Sequence, residues 1–194
     1  MPFALPLGLL LPMPDSPSVH PETLAAHLAR APLPLDYALR CATDVAAVLR
    51  ELHQHGAVHG AISLDTICLQ PAGATLGPRQ ARPESLPARD VAAFGTVLYA
   101  MLTGHPFTAG EVPSRSKSAP RNSREGLRLA ALGLAAKCMG AEETGRPDMR
   151  QVLTEVRLTR VQVNQYPAIE AVRAAPTDHQ RPAPRPGPRL VDEP

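Results

Sequence analysis

The sequence predicts a mainly α-helical fold, and the spacing of its prolines is the first reason. The chain has 194 residues and 23 prolines, which leave four long windows free of proline. These windows are 35–70, 88–105, 121–146 and 148–166. Proline inside a helix removes a hydrogen bond and clashes with the preceding turn, so helices are expected within the windows. Apolar residues recur there at intervals of three and four, which is typical of helices that bury one face.

The bulk composition excludes several classes of protein. Hydrophobic residues make up 44% of the chain, aromatic residues only 3%, and the net charge is +2. This balance is unlike that of a disordered chain, and it gives no charge signal for a nucleic-acid or membrane partner. Cys41, Cys68 and Cys138 are odd in number and far apart, which favours reduced thiols and a cytoplasmic protein. No segment approaches the roughly 18 apolar residues of a membrane span.

The N-terminal third is expected to begin with extended chain and continue with two helices. The apolar run within 3–12 indicates a short buried strand, followed by a loop over 13–22. A short helix is predicted over 23–30. The next helix is expected to begin at Pro34, which suits a first helical position, and to end at Gly56, which suits a C-terminal cap.

The remainder of the chain alternates predicted loops and helices. A loop and a short strand are expected over 57–70, and a loop over 71–88, because that stretch is rich in Pro, Gly and Arg. Further helices are predicted over 89–103, over 124–139 and from Pro147 onward. The last part of the chain, from about residue 172, is expected to be disordered.

Three segments stand in an order that is typical of one large family. They read LRELHQHGAVHGAISLDTICL at 49–69, RDVAAFGTVLYAMLTGHPF at 89–107 and AAKCMGAEETGRPDMRQVLTEV at 135–156. The first resembles the helix and catalytic loop of a protein kinase. The second resembles the helix that follows the activation segment, and the third resembles the closing helices.

This resemblance spans about residues 8–158 and implies the helical large lobe of the protein kinase-like fold. Residues 1–22 would be a residual strand and hinge-like segment, and 23–160 the kinase-like helical lobe. Residues 161–194 would be a C-terminal extension, disordered and rich in Pro and Arg from about 172.

The catalytic-loop match lacks the groups that the family uses for chemistry. His59, Gly60 and Ala61 stand where the family has His-Arg-Asp, so a methyl group replaces the carboxylate that accepts the substrate proton. Ser63 stands at the position of the loop lysine, and Thr66 at that of the magnesium-binding asparagine. The resemblance therefore implies a vestigial loop.

Other parts of the kinase machinery are not found in the sequence. The chain begins at a position that resembles the hinge, so it has no match to the glycine-rich loop or to the strand lysine. No D-F-G segment follows the catalytic-loop match, and the stretch QPAGATLGPRQ contains no acid. No nucleotide, metal ion or other cofactor is expected on these grounds.

Four residues match positions that support the family's architecture. Asp90 resembles the buried aspartate that accepts backbone N–H groups of the catalytic loop, and His59 resembles the residue that packs beside it. Arg82-Pro83-Glu84 resembles the A-P-E motif, whose glutamate pairs in the family with an arginine that matches Arg146. The resemblance implies structural roles for His59, Glu84, Asp90 and Arg146.

The same residues also have interpretations that need no family. His59 fits a core histidine, Asp90 the first turn of a helix, and Arg146 the start of one. Ser63, His59 and Asp65 form a triad by composition, but they lie too close along one loop for the required hydrogen-bond chain. A metal site of His53, His55 and His59 is disfavoured because Gly56 should end the helix between them.

The sequence thus predicts a catalytically inactive kinase-like domain, a pseudokinase, that serves as a protein-interaction or regulatory scaffold. One alternative is a divergent serine/threonine or tyrosine kinase whose small lobe is supplied elsewhere. Another is a kinase fragment without function. An exposed hinge face predicts a protein partner or self-association, with no nucleic-acid or membrane partner.

Overall fold

Helices dominate the fold, as the sequence predicts. A computed structural model describes residues 22–82, 85–108, 119–120, 123–140 and 142–174, with side chains through Tyr166. Its elements are β1 (Glu22–Thr23), α1 (Leu24–Leu28), α2 (Leu35–Gln54), β2 (Ile67–Gln70), β3 (Gly73–Leu76), α3 (Pro87–Thr103), α4 (Arg124–Cys138), a 3-10 turn (Glu143–Gly145) and α5 (Met149–Ala174). The predicted strand within 3–12 lies outside the described residues. So does the tail predicted to be disordered from about 172, except that α5 includes residues 172–174.

Helix α2 forms the centre of the domain. Its residues Leu39, Ala46 and Leu49 are fully buried, and it packs mainly against α5 and β3. Helix α3 packs mainly against α4, and its Phe94 is also fully buried. The core is therefore an aliphatic layer between helices, with few aromatic side chains.

The end of α2 directs the chain into the segment that resembles the catalytic loop. Gly56 has a φ of +68°, a left-handed conformation that glycine adopts without steric cost. Its N–H donates to the carbonyl of His53 at 3.1 Å, and the N–H of Ala57 donates to the carbonyl of Leu52 at 2.9 Å. These two bonds form a Schellman motif, which ends the helix where the sequence predicts.

The three strands form one antiparallel sheet in the order β1-β2-β3. The prediction of a loop throughout 71–88 was wrong, because β3 lies inside this range. Gln70 pairs with Gly73, so only two residues turn the chain between β2 and β3. Pro71 lies in this tight turn and Gly73 begins β3, so two of the residues that indicated a loop belong to a hairpin.

Helix α2 holds this hairpin through two side chains. The Tyr37 hydroxyl donates to the carbonyl of Gln70 at 2.5 Å. The Asp44 carboxylate accepts the N–H of Ala74 at 3.1 Å. Both contacts join the turn end of the sheet to the central helix.

The remaining helices begin and end at recognisable caps. Gly104 ends α3 with a φ of +85°, and the Ser123 hydroxyl accepts the N–H of Gly126 at 2.9 Å at the start of α4. Asp148 and Gln151 exchange side-chain and backbone bonds of 2.8 and 3.1 Å at the start of α5. Helix α5 continues past residue 160, so the predicted domain boundary falls inside it. Among the described residues, no helix has the length and apolarity that crossing a membrane requires.

Candidate functional site

The segment between α2 and β2 contains the residues that resemble a catalytic loop, and Asp90 holds it from the first turn of α3. The Asp90 side chain accepts the N–H of His59 at 2.7 Å and the N–H of Gly60 at 2.9 Å. The ring Nε2 of His53 lies 3.0 Å from the same carboxylate. One buried side chain thus joins the end of α2, the loop and α3.

The Asp90 carboxyl is stabilised in its ionised form although it is only 3% exposed. Burial by itself raises the pKa of this carboxyl, because the charged form loses hydration. The hydrogen bonds from His53, His59 and Gly60 outweigh burial and hold the pKa below its ordinary value. The ionised carboxylate of Asp90 therefore holds the backbone of the loop at His59 and Gly60.

His59 is fully engaged inside the protein and is only 1% exposed. Its Nε2 donates to the carbonyl of Gly77 at 2.9 Å. Its Nδ1 faces the N–H of Ala61 at 3.4 Å, which requires the tautomer with the proton on Nε2. The ring therefore fixes the loop against the residues that follow β3.

The middle of the loop has no room for an arginine and no carboxylate. Gly60 has a φ of +77°, and a Cβ atom there would lie 2.8 Å from the Cα of Ala81. The positive φ and the nearby backbone of Ala81 therefore both disfavour an arginine side chain at this position. At Ala61 the side chain is a methyl group, and the nearby Asp65 is exposed to solvent.

Ser63 and Thr66 bond to each other in a tight turn. The N–H of Ser63 donates to the Thr66 hydroxyl at 2.9 Å, and that hydroxyl lies 3.1 Å from the carbonyl of Ser63. The structure does not bring Ser63 to His59, so the triad considered from composition is not assembled. Within the described part of the chain, no group of three or more His, Cys, Asp or Glu is placed to hold a metal ion.

Residues 77–82 lie against the loop, a placement that the sequence did not reveal. The N–H of Gly77 donates to the carbonyl of Thr66 at 2.7 Å, and the N–H of Gln80 donates to that of His59 at 2.9 Å. The guanidinium of Arg79 reaches the carbonyl of Val58 at 2.9 Å. This covering segment contains two arginines and no acid.

Arg146 ties the start of α3 to the connection between α4 and α5. Its Nε donates to the carbonyl of Gly140 at 2.8 Å, and its Nη1 to the carbonyl of Ala88 at 3.1 Å. Glu143 lies 3.9 Å from the same guanidinium. Glu84 lies outside the described residues, so its pairing with Arg146 stays a prediction.

His53 is the site residue that sequence reasoning missed. The sequence offers it only as a member of a disfavoured metal site, and its position in the last turn of α2 suggests a role in opposing the helix dipole. Its contact with Asp90 joins residues 37 positions apart. The histidine in the LH match of the first segment is the signal that could have drawn attention to it.

The helical layers, the small sheet and the loop held by a buried aspartate define a protein kinase-like fold. A solved structure of a pseudokinase in its apo form matches the chain with a TM-score of 0.57 and 22% sequence identity. The match covers 72% of this chain and 59% of that one, so the chain spans somewhat over half the length of the pseudokinase. No protein-family model and no curated protein matches the sequence.

Proposed function

We propose that this chain is a catalytically inactive, kinase-like domain that acts as a protein-interaction or regulatory scaffold. The observation that carries the proposal is the contrast between Asp90 and Ala61. The buried network around Asp90 is complete, whereas the loop position of the family's catalytic base holds a methyl group. Phosphoryl transfer needs a base that accepts the substrate proton and side chains that bind the metal ion. The matched loop positions, Ala61 and Thr66, offer no carboxylate for either purpose.

A second consideration supports the absence of nucleotide chemistry. Residues 77–82 lie beside the loop, where active kinases place the aspartate that binds the metal ion on the phosphates. Residues 77–82 contain no acid. Thr66 bonds within its own turn and so offers little to a metal ion. A Mg²⁺ ion needs oxygen ligands, usually including one or two carboxylates.

The interaction role rests on the surface beside the loop. Ile62, Leu64 and Leu76 are only partly buried although they pack on the core, so their apolar surface is available to a protein partner or to a second copy of the chain.

We also propose a cytoplasmic location. The support is that Cys41 and Cys138 are unpaired and buried, and burial raises the pKa of their thiols to about 11 and about 12.

Nucleotide binding is the direct test of the non-catalytic role. We expect no Mg²⁺-dependent change in melting temperature on addition of ATP, and no phosphate transfer from labelled ATP. An active protein kinase assayed in parallel controls for the reagents. A Mg²⁺-dependent rise in melting temperature would contradict the proposal and favour the divergent kinase.

The scaffold role needs a test of its own surface. Proteins captured by the wild-type chain are compared with those captured by Ile62→Asp and by Val161→Asp, the matched control on the exposed side of α5. We expect partners that Val161→Asp retains and Ile62→Asp loses, with both variants folded by circular dichroism. Equal capture by all three chains would rule out the surface beside the loop.

A further inference from the structure

A cavity of about 390 Å³ lies between the end of α2, the start of α3 and the start of α5. Its volume is within the range of pockets that hold small ligands, roughly 300–1,000 Å³. Three arginines line it, one near the end of α2 and two near the start of α5: Arg50, Arg146 and Arg150. The cavity therefore concentrates cationic groups that the kinase-like loop does not use.

The acids around the cavity are already engaged by the chain. Glu143 lies 3.9 Å from the Arg146 guanidinium. The Asp148 carboxylate accepts the N–H of Gln151 at 2.8 Å as the cap of α5. His53 also lines the cavity, but its Nε2 lies against Asp90. Among the described residues that line the cavity, three guanidinium groups thus stand beside two carboxylates, an excess of one positive charge.

Two of the arginines have donor capacity to spare. Arg50 Nε is buried and has no hydrogen-bond partner among the described residues, and Arg50 Nη2 contacts only the exposed Glu51 at 3.3 Å. Arg150 is exposed, and its guanidinium makes no hydrogen bond or ion pair within the described ranges. The first turn of α5 adds the partial positive charge of a helix N-terminus beside them.

We propose that this cavity binds a phosphate-type oxyanion. Guanidinium groups present paired N–H donors in a planar fork that matches the oxygens of such an ion. The cavity is larger than one phosphate, which leaves room for a group that carries it. None of residues 57–66 lines this cavity, and the inference does not rest on the proposed scaffold role.

The test is calorimetric titration with sodium phosphate, at an ionic strength held constant with sodium chloride. We expect saturable binding, weakened about tenfold in Arg150→Gln, because one charge-assisted contact is lost. Arg157→Gln is the matched control, since Arg157 is exposed on the same helix and does not line the cavity. Arg50→Gln serves as a second variant, and melting curves verify that each protein is folded.

The remaining arms identify the source of the oxyanion and the results that contradict the site. Tighter binding of O-phosphoserine than of phosphate would assign the ion to a phosphorylated side chain, and equal binding would assign it to free phosphate. Either result supports the site. Absence of saturable binding would overturn it, as would an equal loss in Arg157→Gln or acetate binding as tightly as phosphate.

Discussion

Gly60 and Asp90 show how single residues determine the geometry of the loop. Gly60 supplies a left-handed backbone that lets residues 80–81 approach closely, and Asp90 supplies a charge that two backbone N–H groups require. The sequence pointed to Asp90 and His59 through their resemblance to the family. It did not point to Gly77, Gln80 or Ala81, since these contacts depend on how a shortened segment folds back.

The first prediction compares two glycines. Gly60→Ala is expected to lower the free energy of unfolding by about 2 kcal/mol, because alanine is strained at positive φ and its Cβ meets the backbone of Ala81. Gly133→Ala is the control, since Gly133 lies inside α4 with nothing near its Cβ position. That variant should be stabilised by about 0.5–1 kcal/mol. Urea unfolding measures both, and equal effects would contradict the close approach.

The second prediction concerns pH. The pKa of Asp90 is lowered by folding, so its ionised form stabilises the protein above the unfolded-state pKa of about 3.9. This contribution is lost as the pH falls through the lower, folded-state pKa. The stability gap between wild type and Asp90→Asn should therefore be largest near pH 7 and should shrink below about pH 4.

Denaturant unfolding of both proteins at several pH values measures this gap. Asp36→Asn, at an exposed carboxyl in the first turn of α2, is the control and should show a much smaller gap. A gap for Asp90→Asn that stays constant down to pH 2 would show that its charge does not contribute.

The helices and the sheet differ in how far sequence predicts them. The helices follow from local periodicity and caps such as Gly56 and Gly104, and all five predicted helices are present within about two residues of their expected starts. The strand β3 was missed, because the hairpin that contains it is held by Tyr37 and Asp44, which lie at least 30 residues earlier in the chain. Contacts of this kind have no periodic trace in the sequence.

The third prediction tests how α2 holds the hairpin. Tyr37→Phe removes the hydroxyl that donates to Gln70, at a cost of about 1 kcal/mol. Amide hydrogen exchange should become faster in β2 and β3 and remain unchanged in α4, which provides the internal control. Uniformly faster exchange in α4 as well would mean that Tyr37 supports the whole domain instead of this hairpin.

At the scale of the whole molecule, Arg146 connects elements that are far apart in sequence. Its bonds reach the start of α3 and Gly140, two residues after the end of α4, and its own position precedes α5. The resemblance to kinases drew attention to this arginine, but its bonds to the carbonyls of Ala88 and Gly140 could only be found in three dimensions. Every residue has a main-chain carbonyl, so the sequence does not show which carbonyls an arginine will contact.

The fourth prediction is that Arg146→Ala lowers the free energy of unfolding by about 3 kcal/mol. Two carbonyls would lose a charged donor, and the guanidinium is only 12% exposed. Arg157→Ala, at an exposed position, should change stability by no more than about 0.5 kcal/mol. A double-mutant cycle with Glu84→Gln measures the predicted pairing, and a coupling energy near zero would contradict that pairing but not the role of Arg146.

The close approach at Gly60 also bears on which substitutions the loop can accept. Ala61→Asp would add a carboxylate to the loop, whereas Gly60→Arg would push against the backbone of Ala81. The loop and residues 77–82 are packed against each other at this point, so a larger residue at position 60 can be accepted only if residues 80–81 move as well. The two segments are thus coupled, and a substitution in one of them constrains the other.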